Sequence, residues 1–565
     1  MGEIMRRSIL AVCVVSLWFS FAGNAYAVYD LDPGRKIAWR AGLDTEGGIP
    51  YYPNVTCNGL DPTGASDSAA KINACISSAV PGTAVYLPSG TYRVNSHINM
   101  KSNRVLRGAG PAQTSIRLYN GAQINFNGGS KDGMGSNIPI VSGYVKGSTV
   151  LTLASAAGLA TGDILSIFQD NDPALVNSLG CSWCGEDSGQ HDIQQFAKVA
   201  GVAGNNVTIS PGMYLTYSAN PQIKKAPMSV RKAGLEDLKV ELMTSNGWMI
   251  YSGFSAFNWL RNIESYNAGG SSGCAHVRLE FSFGWEIRDS YFHHGQNYGS
   301  GASYGVFLIF WNSAHKIENN RFYFLRHGVN FEGGGSGTAV LYNYFDAHRE
   351  AEDPSYLNAD LNPNHGPHPH MNLYEGNISA KITHDYTFGS SSHNTAYRNH
   401  VRGTRSVPPV SWGVWAIDTQ AWNRYMNFVG NVLGMPSWTS GTAVANGQCG
   451  PPEPTAIRFG CDGQPGTYTD SLAYSTAVLH GNYDYVTDGV AIWAGADHVL
   501  KNSMYYDAKP GVGSWWCEET PWPPIGPDVP NLTNDIPAKR KQDGASCTIP
   551  YIKKPLPPYD IQLNK

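Results

Sequence analysis

Ile317-Glu-Asn-Asn320-Arg-Phe322, Val340-Leu-Tyr-Asn343-Tyr-Phe345, Tyr374-Glu-Gly-Asn377-Ile-Ser379, Ala396-Tyr-Arg-Asn399-His-Val401, Phe428-Val-Gly-Asn431-Val-Leu433 and Leu479-His-Gly-Asn482-Tyr-Asp484 are one phrase used again and again. Val499-Leu-Lys-Asn502-Ser-Met504 continues it, and weaker copies stand upstream at Trp259-Leu-Arg-Asn262 and Ile287-Arg-Asp-Ser290-Tyr-Phe292. With the Asn (or Ser290) as zero, the residue three before it is Trp259, Ile287, Ile317, Val340, Tyr374, Ala396, Phe428, Leu479 or Val499, always apolar or aromatic. Successive zeros are 20 to 34 residues apart, with one gap of 51 between Asn431 and Asn482. That is the length of one solenoid coil, not of a helical heptad. The pattern predicts a parallel β-solenoid whose inward column is the apolar position. Asn suits the zero because its amide can bond along the stack and because it tolerates a left-handed bend.

Upstream, Gly59-Leu-Asp-Pro-Thr-Gly-Ala-Ser-Asp67-Ser-Ala-Ala-Lys-Ile-Asn-Ala-Cys-Ile76 followed by Val85-Tyr-Leu-Pro-Ser-Gly-Thr-Tyr-Arg-Val94 offers a short helix, capped by Asp67 or Ser68, ahead of the first coils. These residues resemble the opening segment of the pectate-lyase-like right-handed parallel β-helix proteins, among them polysaccharide lyases and glycoside hydrolases. The resemblance is clear over about residues 55–120 and loose to about 505. It implies an all-β, right-handed parallel β-helix with an N-terminal capping helix, and a groove that holds an extended polysaccharide.

The remaining chain divides around this core. Arg6 and Arg7, the apolar run Ile9–Phe21 and Ala25-Tyr26-Ala27 read as an export signal, so residues 1–27 are expected to be removed near Ala27 and the protein to be periplasmic or extracellular. Residues 28–55 form an extension, 56–138 the opening of the helix and its cap, and 139–226 a small inserted β domain. Coils follow over 227–509, with an insertion at 435–470, and then a Pro- and Trp-rich tail over 510–565. The inserted domain is expected from Val150-Leu-Thr-Leu, Gly162-Asp-Ile-Leu-Ser-Ile-Phe168 and Gly204-Asn-Asn-Val-Thr-Ile-Ser210, strands without the coil register. Its loop Gln169–Phe196, with Trp183, Glu186, Asp187 and His191, is placed to overhang a groove. A net charge of −4 with 15% charged residues argues against nucleic acid, and no later stretch is long and apolar enough to insert in a membrane. In an oxidising compartment the cysteines read first as disulfides. Proximity suggests Cys57–Cys75, Cys449–Cys461 and Cys517–Cys547, and Cys181-Ser-Trp-Cys184 reads as a further disulfide in preference to a metal motif.

Twelve of the 16 histidines fall between His276 and His400, which directs the search for chemistry to residues 346–402. A lyase needs a base beside a cationic site, a glycoside hydrolase needs two carboxyls flanking the bond, and a metal site needs converging ligands. The candidate catalytic residues are His370, Glu375, His384, Asp385 and Arg398. In the coil register Arg398 falls diagonally near Glu375, with Gly376 leaving space, although an ion pair on a solvated face would look the same. His384 and Asp385 are adjacent on a strand and so face opposite sides. Tyr374, Tyr397, Arg402, Trp412 and Trp415 are candidate substrate contacts, the tryptophans as flat platforms for sugar rings where they are not core. Asp346, His368 and His370 are candidate ligands of a divalent cation such as calcium; no cofactor is otherwise indicated. The expected function is cleavage of a polysaccharide, an acidic one, by β-elimination or hydrolysis. The alternative is a non-catalytic cell-surface or matrix protein that binds glycans.

Overall fold

The computed structural model describes residues 28–183, 189–245, 247–299, 301–462, 468–490, 492–494, 497–511 and 515–549. The expected signal segment, and Cys184, Glu186 and Asp187 of the overhanging loop, lie outside them.

Each coil contributes a strand to each of three parallel faces. The coil beginning at Tyr304 runs through Tyr304–Ser313, Lys316–Glu318 and Arg321–Tyr323; the next runs through His327–Glu332, Ala339–Leu341 and Tyr344–Asp346. Pairing between them is parallel and in register, as in Val306↔Val329, Ile317↔Val340 and Phe322↔Phe345. The faces are named here in coil order as the groove sheet, the leading sheet and the trailing sheet. The asparagine lies between the last two.

The expected inward column is present from Ile287 to Leu479, where Ile287, Ile317, Val340, Tyr374, Ala396, Phe428 and Leu479 all lie in the central core. Two residues after the zero a second column forms an aromatic stack, Phe292 on Phe322 at 5.3 Å and Phe322 on Phe345 at 4.8 Å. Glycine makes room for it: a Cβ on Gly328 would stand 2.3 Å from the Phe345 ring.

The zeros form a hydrogen-bonded ladder. Asn320, Asn343, Asn377, Asn399, Asn431 and Asn482 are buried. Asn343 Oδ1 accepts from the backbone amide of Asn320 at 2.9 Å and from its Nδ2 at 3.0 Å, while Asn343 Nδ2 donates to Ile317 O at 2.8 Å. Every later rung repeats this toward the preceding coil, down to Asn482 on Asn431 at 3.1 and 2.8 Å. Ser290 joins at the top, donating its amide to Asn320 Oδ1 at 3.0 Å.

Three details differ from expectation. The left-handed bend falls one residue before the zero, at Asn319, Tyr342 and Arg398 with φ of 54°, 52° and 51°, and at Gly376, Gly430 and Gly481. Asn262 belongs to that bend position, since it is left-handed itself and Arg261 pairs with Arg288; Leu260, not Trp259, is therefore the inward residue of its coil. Asn502 lies outside the stack, because Val499–Leu500 pairs with Val28–Tyr29 of the N-terminal extension.

Helix α1 (Ala69–Ser78) covers the first coils, burying Ala69, Ile72 and Ile76. It occupies the edge of the groove sheet at Ile98–Asn99, where Asn73 donates to His97 O at 2.8 Å and accepts from Asn99 N at 2.8 Å. An edge that would offer free backbone groups is thereby satisfied. The amide of Ala69 donates to Asp67 Oδ1 at 3.1 Å, so Asp67 serves the helix start.

Residues 138–226 close into a six-stranded antiparallel barrel, from Ile138–Ser142 to Gln222–Ala226, with its own core. It rests on the corner between groove and leading sheets, where Phe168 and Phe196 meet Trp311 and Phe283. The tail lies along the leading sheet, with Tyr342 packed among Trp515, Trp516 and Trp522. Disulfides join Cys57–Cys75, Cys449–Cys461 and Cys517–Cys547 as expected, and Cys181 is also disulfide-bonded. Among the described residues no helix is long and apolar enough to cross a membrane.

Candidate active site

On the groove sheet, inward Val277, Leu279, Val329 and Phe331 alternate with outward Arg278, Glu280, Asn330 and Glu332. Arg278, Tyr304, Phe307, Arg326, Glu332 and His365 line an open cavity of about 470 Å³. The barrel loop contributes Trp183, whose ring meets Phe388 edge-on at 5.0 Å, and Phe388 meets the His365 ring at 5.0 Å.

Its charges are strongly coupled. His365 Nδ1 bonds Asp385 Oδ2 at 2.7 Å, and Asp385 also accepts from Asn362 Nδ2 and Thr387 N, both at 2.9 Å. Burial opposes charge on both partners, but their mutual attraction prevails: His365 is held above the ordinary imidazole range and Asp385 below the ordinary carboxylate range. With Nδ1 engaged, Nε2 is the free ring nitrogen. Glu332 moves the other way, because burial pushes its carboxyl up against the pull of His365 and Arg278. Arg278 pairs with Glu280 at 2.6 Å and lies over Trp248 and Phe307. Arg326 bonds Tyr304 Oη and Glu350 Oε2, each at 3.2 Å. Burial and the neighbouring Glu352 push Glu350 up to about 7. The cavity thus holds two guanidinium groups, an imidazole oriented by a carboxylate, and a carboxyl biased toward its protonated form.

Of the residues singled out in the sequence, Asp385 belongs to this cluster, through His365 and not through His384. His384 faces the core against Phe428, where burial lowers it to about 3. Glu375 is sealed under the chain before the tail, accepting from Tyr342 Oη at 2.6 Å, from Met504 N at 2.8 Å and from Ser503 Oγ. Arg398 is on the same covered face, its guanidinium on both oxygens of Asp528 at 2.6 and 2.8 Å; Glu375 and Arg398 each close on the C-terminal chain rather than facing a groove. Tyr397 Oη donates to Lys501 O, and Tyr374 is a core residue. Arg402 pairs with Asp346 at 3.1 Å on the trailing sheet. Trp412 bonds Asp353 at 3.0 Å and remains partly exposed, whereas Trp415 is buried between Lys381 and Arg458.

The suggested metal ligands do not converge. His368 has both ring nitrogens on Ser390 and Ser392, at 2.8 and 2.9 Å, His370 Nδ1 donates to His368 O, and Asp346 is tied to Arg402 and Ser406 N. This donor set does not fit a cation, and among the described residues no other cluster of ligating side chains appears.

Arg278, Arg326 and Glu332 escaped the sequence search, which followed histidine density. The signal for Arg278 and Glu332 was the alternation Val277-Arg278-Leu279-Glu280 and Val329-Asn330-Phe331-Glu332, polar groups set outward on apolar strands, whereas Arg326 lies between strands and carries no such pattern.

Residues 52–157 match the family model described as rhamnogalacturonase A/epimerase, pectate lyase-like. The structure is similar to the tailspike gp61 of Pseudomonas phage phi297, at 13% identity over 74% of this chain and 68% of that one, with a TM-score of 0.52. It is also similar to the tailspike gp49 of Pseudomonas phage LKA1, at 18% identity over 72% and 69% and a TM-score of 0.51. The chain folds as a right-handed parallel β-helix. A search of the curated proteins found no match. At these identities the likeness establishes the fold of the β-helix, and its chemistry rests on the cavity.

Proposed function

We propose that the chain is a secreted polysaccharide-cleaving enzyme acting on an acidic glycan by β-elimination in the groove-sheet cavity. One observation carries this: the His365–Asp385 pair shares a single cavity with Arg278, Arg326 and Glu332. Asp385 holds Nδ1, so that neutral His365 presents Nε2 to take the proton beside a uronate carboxylate. The guanidinium groups of Arg278 and Arg326 stabilise the negative charge that develops on that carboxylate. Glu332, protonated, gives its proton to the departing glycosidic oxygen, and a carbon–carbon double bond remains on the new end. Phe307, Phe388 and Trp183 offer apolar faces to the sugar rings.

The test is incubation with uronic-acid and neutral polysaccharides, following ultraviolet absorbance of unsaturated ends together with reducing ends. Elimination gives both from the acidic polymer only. His365→Ala and Glu332→Gln each lower kcat by about 10²- to 10⁴-fold, the usual worth of a positioned acid or base. Reducing ends without absorbance would replace elimination by hydrolysis, and binding with neither signal would leave a glycan-binding protein.

A further inference from the structure

A second cavity, of about 930 Å³, shares no lining residue with the first. It lies where the N-terminal extension, the barrel and the chain before the tail meet, and the opposing walls carry Lys36, Lys146 and Lys501. Lys36 and Lys501 share one carboxylate, Asp30, with Lys501 at 2.5 Å. Lys146 has no carboxylate within ion-pair distance among the described residues. Its ammonium donates to Tyr214 O at 3.2 Å and approaches Met371 Sδ at 3.6 Å. Burial draws its pKa down to about 8, against the weak opposing field of Asp32. Among the lining residues three lysines face one carboxylate, Asp507. Trp39, Ile37 and Met213 supply an apolar wall, and Trp39 is fixed by its Nε1–H on Met371 O at 2.7 Å.

A desolvated ammonium with only neutral acceptors, facing a wide space with an apolar wall, is matched by a ligand that brings its own negative charge on a ring. We propose that this cavity is a second saccharide-binding site, which takes an acidic sugar unit with its anionic group on Lys146, flanked by Lys36 and Lys501, and its ring against the Trp39 wall. That the ligand is a sugar rests on the function proposed above; that it is an anion rests on the lysines. A site outside the cleaving cavity would hold a long polymer between cuts.

The experiment is calorimetric titration of a short uronic-acid oligosaccharide into full-length His365→Ala protein, with and without Lys146→Met. The expected result is two classes of site in His365→Ala and the loss of one on adding Lys146→Met, its affinity falling about tenfold or more, as for a lost charge-assisted hydrogen bond. Lys501→Gln provides a second reading should the Lys146 variant fail to fold, with a smaller loss in the same class. Unchanged isotherms in both lysine variants, a neutral oligosaccharide bound equally at the lysine-dependent site, or a single class of site throughout would each overturn the proposal. Cleavage separates the two readings: Lys146→Met keeps the kcat of otherwise native protein on short substrates. Lysine-dependent binding without any cleavage would remove the active-site assignment and leave this one standing.

Discussion

The most consequential single residue is Asp385, because its charge sets the state of His365. Removing it removes the attraction that raises the imidazole, so in Asp385→Asn the His365 ring, followed by NMR titration, loses its proton at lower pH while kcat/KM falls. The sign follows from His365 acting as base: it works above its pKa, and a lower pKa brings the working form in earlier. Glu332 shifts the same way, because Asp385 is among the charges that hold its carboxyl up. An imidazole titration unmoved by Asp385→Asn would take the pair out of the mechanism. Reading the chain alone reached Asp385 but not its partner, since His365 lies 20 residues away and meets it through hydrogen bonding between neighbouring coils. Histidine density misled for a physical reason. His368, His370 and His384 are buried, where hydroxyls, backbone carbonyls and aromatic rings serve imidazole as well as a metal would.

At the scale of the coil, the asparagine ladder was the most legible feature, because a buried amide that must serve a neighbouring coil leaves a spaced repeat. Where the phrase matched but the stack did not, Asn262 stands one residue out of register in its own coil, and Asn502 follows a strand that pairs with the N-terminal extension instead of a coil. Asn343→Ala leaves the amide of Asn320 and the carbonyl of Ile317 buried without their partners. At about 1 to 3 kcal/mol for each orphaned group, the cost is on the order of 4 kcal/mol. Asn502→Ala is the control: exposed and outside the ladder, it changes stability by less than about 0.5 kcal/mol. Urea unfolding followed by circular dichroism compares the two, and equal midpoints would mean that the ladder contributes little.

Across the whole molecule, the added segments determine which faces remain free. The tail and the N-terminal extension cover the leading sheet, and the barrel sits at its corner, leaving the cavity on the groove sheet open. The sequence marked each segment by its loss of register, but not the side on which it would lie, because docking depends on surfaces that exist only once the coils are stacked. Asp528→Ala withdraws the partner of buried Arg398. A sealed pair would lose about 3 to 5 kcal/mol, and since Asp528 is 31% exposed the expected loss is nearer about 2 kcal/mol. Limited proteolysis should then release tail fragments faster while kcat is unchanged, because the tail covers a face other than the groove sheet. A parallel fall in kcat would instead connect the tail to the groove.

The ladder has a direction as well as a length. Each asparagine carbonyl accepts from the coil before it, and each asparagine amide donates back to that coil, so no rung completes its own turn. A chain laid down from its N-terminus therefore always carries one unfinished coil at its growing end, closed only by the residues that arrive next. A chain stopped between Asn320 and Asn482 is expected to end in a turn with unpaired amides, open to pairing with a foreign strand.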